Sequence, residues 1–316
     1  MSEKTRVAVI GGGANGEHEV SLASARAAAS ALDPTRYEPV RLTIAQDGSW
    51  RVGDEPAQLS EAVAALGDCH VALPLVHGAP GEDGTIAALC ELAGIPYVGS
   101  GVSAGALAMD KHATKLLAAS IGLRTAAGAL LTRATRDAYA WAGPVVVKPA
   151  DGGSSRGVTP VREPAALVPA LDEAFRWGDR VLVEELITGR EIDIAVLETR
   201  EGVVIGPPLE IRARGFFDYE AKYGAAHESE VAFEIPAAIT AQQQRRLEQG
   251  AVALYRGLGC RGVARLDFFL DERGWVLNEV NTTPGFSPAS QVPQMFAAIG
   301  VPYPRLLDLL IREALP

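Results

Sequence analysis

The sequence predicts an α/β protein, with a parallel sheet in its first third and a mixed α+β remainder. Short apolar runs alternate with helix-period segments up to about residue 99, the pattern of βαβ units whose sheet is covered by helices. From Ser100 onward the order changes to paired helices, then short strands with polar turns, then a long helix and a strand–turn–strand unit. The 316-residue length suits about two domains. A chain of that size buries roughly 75% of the surface it exposes when unfolded.

In order, strands are expected at Val7 to Ile10, Val40 to Ile44, Val71 to Val76 and Pro96 to Gly99, with helices at Val20 to Leu32 and Thr85 to Ala93 between them. Apolar residues at helical spacing place two further helices at Val102 to Met109 and Lys111 to Ile121. A strand over Pro144 to Pro149, a Gly/Ser loop over Asp151 to Gly157, a helix over Ala165 to Phe175 and a strand over Val181 to Glu184 read as a small α+β lobe. The last third carries a Gly- and aromatic-bearing loop at Arg214 to Gly224, a long helix from Thr240 to Gly257, a β-hairpin over Val263 to Asn281 and terminal helices.

Composition narrows the class. Hydrophobic content of 48% and charged content of 22% are those of a globular chain. A net charge of −10 argues against a nucleic-acid partner, which requires an excess of Lys and Arg. Cys69, Cys90 and Cys260 are odd in number and lack CxxC spacing, which argues against disulfides or zinc. The N-terminus runs straight into a strand pattern and no run of about 18 apolar residues occurs. A cytoplasmic protein with no membrane partner is expected.

The segment VAVIGGGANGE places Gly11, Gly13 and Gly16 in a GxGxxG between a strand and a helix, with Glu38 22 residues beyond Gly16. That is the dinucleotide-binding pattern, and it makes an oxidoreductase a rival reading. Against it, the helix opens with Glu17-His18-Glu19. Carboxylates there would compete with a pyrophosphate for the same amides, and they suit a cationic amino group better.

A second loop, VVVKPADGGSSRGV, sets Lys148 at a strand end, ahead of the backbone amides and hydroxyls of Ser154 and Ser155. Such a loop offers phosphate oxygens both donors and a fixed cation. The hairpin ARLDFFLDERGWVLNEVNTTPG is more specific. Strand periodicity puts Arg265 with Asp267, and Glu279 with Asn281. A five-residue loop, Asp271 to Trp275, would set Asp267 opposite Glu279 and Arg265 opposite Asn281. Two carboxylates and an amide oxygen inside apolar strands form a hard oxygen site suited to Mg²⁺. Left unpaired there, such charges cost stability.

In chain order the landmarks are GGANGEHEVSL, HGAPGEDGT, GSGVSAGALAMDK, VVVKPADGGSSRGV, FDYEAKY, ARLDFFL and NEVNTTPGF. Together they resemble the D-alanine–D-alanine ligases of the ATP-grasp superfamily, over essentially the whole chain. The resemblance implies a Rossmann-like (pre-ATP-grasp) substrate-binding domain over residues 1–99. A two-lobed α+β ATP-grasp unit follows, its small lobe at 100–184 and its large, metal-bearing lobe at 185–316. It also implies ATP with two Mg²⁺ ions (Mn²⁺ as a substitute), D-amino acid substrates, a homodimer and a place in peptidoglycan precursor synthesis.

Residue by residue, Lys111, Lys148 and Lys222 resemble the phosphate-binding lysines, aided by Ser154 and Ser155. Glu184, Glu185, Leu186 and Ile187 resemble the adenine-binding hinge, and Glu191 the ribose carboxylate. Asp267, Glu279 and Asn281 match the metal ligands. Glu17, Ser154 and Tyr223 match a triad that positions the first D-alanine, while Arg265 and the Gly285 amide match the oxyanion donors. His77 and Glu82 resemble pocket residues, and Ser290 the group that holds the second substrate's carboxylate. Glu82 and Asp83 could otherwise simply charge a helix N-terminus.

Five residues bear on substrate choice or loop closure. Asn15 stands where the family usually has Ser, which should still permit a hydrogen bond; Gln291 stands where it has Leu or Met, and a Gln there could bind a hydroxyl or water, so a different second substrate is an alternative. Lys222-Tyr223 is the pair that D-alanine–D-lactate ligases lack, which favours an amino acid. Arg156 occupies a position often apolar. A further alternative is a nucleotide-binding regulator without turnover. His18, His70, His112 and His227 are expected to be surface or capping residues, and Trp50, Trp141, Trp177 and Trp275 packing residues.

Overall fold

The computed structural model describes residues 4–213 and 231–316. The first sheet holds β1 (Thr5–Gly12), β2 (Tyr37–Ile44), β3 (Trp50–Val52), β4 (Glu55–Ala57) and β5 (Val71–Pro74) in the order β4-β3-β2-β1-β5. Strands β2, β1 and β5 are parallel, as βαβ alternation requires, whereas β3 and β4 add an antiparallel edge that the sequence reading missed. Each is only three residues long, too short for alternation to show. The strand expected at Pro96 to Gly99 shrinks to a single bridge between Tyr97 and Ala72.

Helix α1 (His18–Ala31) packs on β1, while α2 (Leu59–Gly67) and α3 (Thr85–Leu92) cover the opposite face. There Ala8, Ile10 and Leu42 meet Leu66, Ile86 and Cys90, all buried. On the α1 side, Val7, Val9 and Leu73 share one core with Leu306, Leu310 and Ile311 near the C-terminus. The two ends of the chain are therefore one packed body, and the Phe286 amide donates to Ser24 Oγ of α1 at 3.2 Å within it.

Helices α4 (Val102–Met109) and α5 (Lys111–Ser120) fall where expected. Asp110 separates them and caps α5, accepting from the amides of His112 at 3.0 Å and Ala113 at 3.1 Å; a cap of this kind stabilises a helix by about 1 kcal/mol. It also fixes Lys111 as the first residue of α5. The second sheet, in the order β6-β9-β7-β8, comprises β6 (Gly128–Thr132), β7 (Val145–Pro149), β8 (Thr159–Val161) and β9 (Arg180–Glu185), all antiparallel. One face buries Val147, Val181 and Val183 against Leu171 and Phe175 of the segment containing α6 (Leu167–Ala174).

The third sheet, among the described residues, contains β10 (Arg190–Thr199), β11 (Gly202–Ile205), β12 (Leu209–Ala213), β13 (Val231–Glu234), β14 (Val263–Asp271) and β15 (Gly274–Asn281). Helix α7 (Ala241–Leu258) lays Leu247, Ala251, Leu254, Tyr255 and Leu258 on its back, against Ile192, Ile194, Leu266 and Phe268. A capping box at Thr240 and Gln243 starts α7, and Gly259 at φ 74° ends it. Helices α8 (Gln291–Ala298) and α9 (Tyr303–Ala314) close the chain. No described helix is long and apolar enough to cross a membrane.

Candidate active site

The strands β14 and β15 build the floor of the site. Arg265 pairs with Asn281 and Asp267 with Glu279, the register expected from the sequence. The connection differs. Asp271 pairs with Gly274, so the turn is the two-residue Glu272-Arg273, and a bulge after Asp267 leaves Asn278 as the extra residue. Gly274, at φ 112°, permits the tight turn, and the bulge restores the parity that a five-residue loop was expected to supply. Asn278 Oδ1 then accepts from Lys148 Nζ at 3.2 Å.

Asp193 on β10 pairs with Asp267, so Asp193, Asp267 and Glu279 form one row across three strands. Like charges in such a row repel. Arg265 offsets them: its Nε and Nη2 donate to the two oxygens of Asp267 at 2.7 and 2.8 Å, and Nε lies 3.5 Å from Asp193. Burial opposes the Arg265 charge, but Asp267, Asp193 and Glu279 hold it firmly protonated. The Asn281 amide nitrogen donates to Asp267 at 2.9 Å.

Above this floor lie two adjoining cavities. The larger, of about 420 Å³, is lined by Lys115, Lys148, Glu184 to Arg190 and the apolar Val146, Phe269 and Leu277. The smaller, of about 270 Å³, is lined by Glu17, His77, Glu82, Arg265, Asp267, Gly285, Ser290 and Gln291. Lys111, Gly152, Gly153, Glu191, Ile211 and Glu279 line both. Ser154 lines the small cavity and Ser155 the large one, both in the left-handed region at φ 49° and 55°. Conformational strain of that kind is found where a site demands it.

Three lysines surround the shared wall. Lys111 Nζ donates to the Gly152 carbonyl at 2.5 Å and lies 3.3 Å from Glu279. Glu184 is buried between Lys115 at 2.5 Å and Lys148 at 2.8 Å. Burial alone would raise the Glu184 carboxyl, but Lys148 and Lys115 overcome it and hold it below its ordinary value. Burial, then the neighbouring Lys148, pushes Lys115 down to about 8. Glu185 Oε1 accepts from the Ala127 amide, and the Leu186 amide donates to Pro144, so the hinge from β9 to β10 is tied to the small sheet.

In the small cavity, Ser154 Oγ donates to Glu17, and a Cβ on Gly153 would meet that carboxylate at 2.7 Å. His77 uses both ring nitrogens on protein partners. Nδ1 lies 2.7 Å from the Thr283 carbonyl, so it carries the proton, and Nε2 accepts from Ser24 Oγ at 2.9 Å. Burial lowers its pKa, consistent with a neutral ring. Glu82 accepts from the amides of Gly78 at 2.9 Å and Thr283 at 3.0 Å; burial, then the Glu17 charge, pushes its carboxyl up to about 7. Thus Glu82 ties two loops together rather than merely charging a helix end.

Ser290 Oγ accepts from the Ser287 amide at 3.0 Å beside Gly285. Gln291 Nε2 donates to Asp193 at 2.8 Å. His18, expected at the surface or as a cap, is buried instead, with Nδ1 2.9 Å from the Gly13 carbonyl. The chain folds back at the glycine loop, and a Cβ on Gly12 would run into the Ile44 carbonyl. Lys222 and Tyr223, with the FDYEAKY landmark, lie outside the described residues.

The sequence reading missed Lys115, Asp193 and Asn278. The signal for Lys115 was its spacing, four residues after Lys111 on one helix face. Asp193 follows Glu191 by two residues on a strand, and so shares its side of the sheet.

Comparison with known proteins identifies the family. The family profile described as D-ala D-ala ligase N-terminus matches residues 6–100, and that described as D-ala D-ala ligase C-terminus matches residues 129–312. The D-alanine–D-alanine ligase of Corynebacterium aurimucosum is 40% identical, over 99% of this chain and 98% of that protein. That of Rhodococcus opacus is 39% identical, over 99% and 97%. Among solved structures, a D-Ala:D-Ser ligase from Enterococcus faecalis superposes with a TM-score of 0.87 at 32% identity, covering 99% of this chain and 100% of that one. A D-alanine–D-alanine ligase from Bacillus anthracis complexed with ATP gives 0.80 at 28% identity, covering 98% and 97%. The chain belongs to the D-alanine–D-alanine ligase family.

Proposed function

We propose that this protein joins two D-alanines into D-alanyl-D-alanine with consumption of ATP, as a step in peptidoglycan precursor synthesis. One observation carries the reading: a lysine-lined cavity and an acid-lined cavity meet at a wall shared by Lys111, Glu191 and Glu279, with Arg265 and Asp267 at its edge. The large cavity takes the nucleotide, its base against the hinge Glu184 to Ile187 and its ribose at Glu191. Lys111, Lys148 and the Gly/Ser loop with Ser154 and Ser155 hold the phosphates, and Lys222 is assigned to the same task.

Two carboxylates and an amide oxygen fit hard cations, with phosphate or water oxygens completing the shell. Mg²⁺ bound by Asp267, Glu279 and Asn281 would supply charge neutralisation during phosphoryl transfer.

The protein's own groups account for the remaining chemistry. Glu17, oriented by Ser154, holds the first amino group, and Tyr223 is assigned to the same triad. The first carboxylate attacks the γ-phosphoryl group, giving an acyl phosphate and ADP. The amine of the second substrate, its carboxylate at Ser290, attacks the acyl carbon and phosphate leaves. Arg265 and the Gly285 amide stabilise the oxyanion formed in between. His77 and Glu82 shape this side and fix the Thr283 loop. The three units proposed near 1–99, 100–184 and 185–316 each hold one sheet, with α4 and α5 packed on the third sheet. A cytoplasmic homodimer is part of the same proposal.

A second reading keeps the chemistry and changes the second substrate. The hydrogen bond between Gln291 and Asp193 makes that side of the cavity polar, and the Enterococcus faecalis relative is a D-Ala:D-Ser ligase. Phosphate release with a panel of D-amino acids, with product masses, separates the two. Nucleotide binding with no release for any D-amino acid would overturn both and leave a regulator.

A further inference from the structure

We infer that Arg156 and Trp177 form a latch that holds the Gly/Ser loop over the small cavity, making Arg156 a positioning residue for acyl transfer. Two rungs join this loop to the glycine loop near residue 16. One is Ser154 Oγ to Glu17, and the other is Arg156 Nη2 to the Gly16 carbonyl at 3.3 Å. The rungs leave the Gly/Ser loop two residues apart and land on consecutive residues.

The guanidinium is confined on both sides. A Cβ on Gly16 would collide with it, so the glycine loop lies directly against it. On the other side its Cζ lies 5.2 Å from the centre of the Trp177 ring. That indole is itself fixed, donating from Nε1 to Glu173 at 2.9 Å. Gly157, at φ 69°, rests on the same ring, since a Cβ there would lie 2.6 Å from Trp177 Cδ1. Trp177 is thus a platform for two consecutive loop residues, although it is 47% exposed.

The need for a latch follows from the loop's own backbone. Ser154 and Ser155 both occupy the left-handed region, a conformation that non-glycine residues hold only when their surroundings impose it. The rung through Ser154 holds the first residue of this pair; Arg156 and Gly157 secure the chain just after the second.

The consequence rests on the ligase reading. With the loop seated, the acyl phosphate meets only the second amine. With it loose, water attacks the same acyl carbon, breaks the same C–O bond and releases phosphate with no dipeptide. Arg156→Ala should therefore lower dipeptide formation roughly 10- to 100-fold and raise phosphate released per dipeptide several-fold, and it should also weaken ATP binding, because Arg156 and the loop it holds line the large cavity. Arg156→Lys, which keeps charge but loses the planar stack, should fall between. Trp177→Ala should reproduce Arg156→Ala, and Trp177→Phe should largely restore coupling. A phosphate-to-dipeptide ratio unchanged in Arg156→Ala and Trp177→Ala overturns the latch.

A readout independent of turnover is amide hydrogen exchange over residues 150–160 in the full chain. It should speed up in Arg156→Ala at unchanged melting temperature, and equal exchange overturns the latch. If wild-type protein makes no dipeptide, the ligase reading fails, and the exchange result still decides whether Arg156 holds the loop.

Discussion

Arg265 grips both oxygens of Asp267, the residue directly opposite Glu279 in the β14–β15 ladder. One guanidinium thereby serves two tasks. It lets a row of three carboxylates exist in a buried floor, and it leaves a cation beside the small cavity. Arg265→Ala is expected to cut dipeptide formation about 10²- to 10³-fold while ATP binding survives. Steady-state kinetics beside nucleotide titration checks this; unimpaired turnover would remove its oxyanion role.

Glu279 lines both cavities and faces Lys111 at 3.3 Å. Glu279→Gln keeps the shape and removes a hard anionic ligand. The Mg²⁺ concentration for half-maximal activity is expected to rise about tenfold or more, a loss of roughly 1.4 kcal/mol in metal binding. A metal titration that superimposes on that of the wild type would place the metal elsewhere.

Lys115 was invisible as a site residue until the fold placed Glu184 between it and Lys148. Without Lys115, Glu184 engages Lys148 alone and draws it from the phosphates. Lys115→Met is expected to raise the Michaelis constant for ATP about tenfold, the equivalent of roughly 1.4 kcal/mol. It should also lower stability by about 1–3 kcal/mol, because the buried Glu184 loses one of its two cationic partners. Denaturant unfolding and ATP kinetics on the same variant test both; a change in stability alone would make Lys115 purely structural.

The carboxyl of Glu82, pushed up to about 7 by burial and then by Glu17, is neutral below that pH and charged above it. As the anion it reinforces Glu17 in holding a cationic amine. The Michaelis constant for the amino acid should therefore fall as pH rises from 6 to 8, and Glu82→Gln should flatten that dependence. Linkage has the opposite sense. The native state binds this proton more tightly than the unfolded chain, so its stabilising effect is complete below pH 4.5 and lost as pH rises through about 7. Identical pH profiles for variant and wild type would exclude the role.

Much of this site was legible in the sequence because period-two patterning fixes which residues share a strand face. That sufficed to pair Asp267 with Glu279 and Arg265 with Asn281. It did not locate the bulge, because a two-residue turn plus one extra residue has the same parity as a five-residue loop. Asp193 and Lys115 escaped for another reason: each matters through a partner distant in sequence, Asp193 through Arg265 and Lys115 through Glu184. Short edge strands such as β3 and β4 carry too few residues for a period to register. His18 looked like a surface residue because its burial comes from the folded-back glycine loop, not from its own helix.

Gln291 is where sequence and structure together sharpen a question of specificity. Its amide donates to Asp193, which is 1% exposed and also lies 3.5 Å from Arg265. Gln291→Leu removes that donor, and leaving a buried carboxylate short of a hydrogen bond costs about 1–3 kcal/mol. Two readings diverge on substrates. If the amide also recognises a side-chain hydroxyl, the preference for D-serine over D-alanine, taken as a ratio of kcat/KM, falls about tenfold or more in the variant. If it only steadies Asp193 and through it Arg265, both substrates slow by the same factor and the ratio stays constant. Competition between the two amino acids in one reaction, with the dipeptides separated by mass, reads that ratio directly. A constant ratio would remove Gln291 from substrate recognition and leave D-alanine as the second substrate on the rest of the site alone.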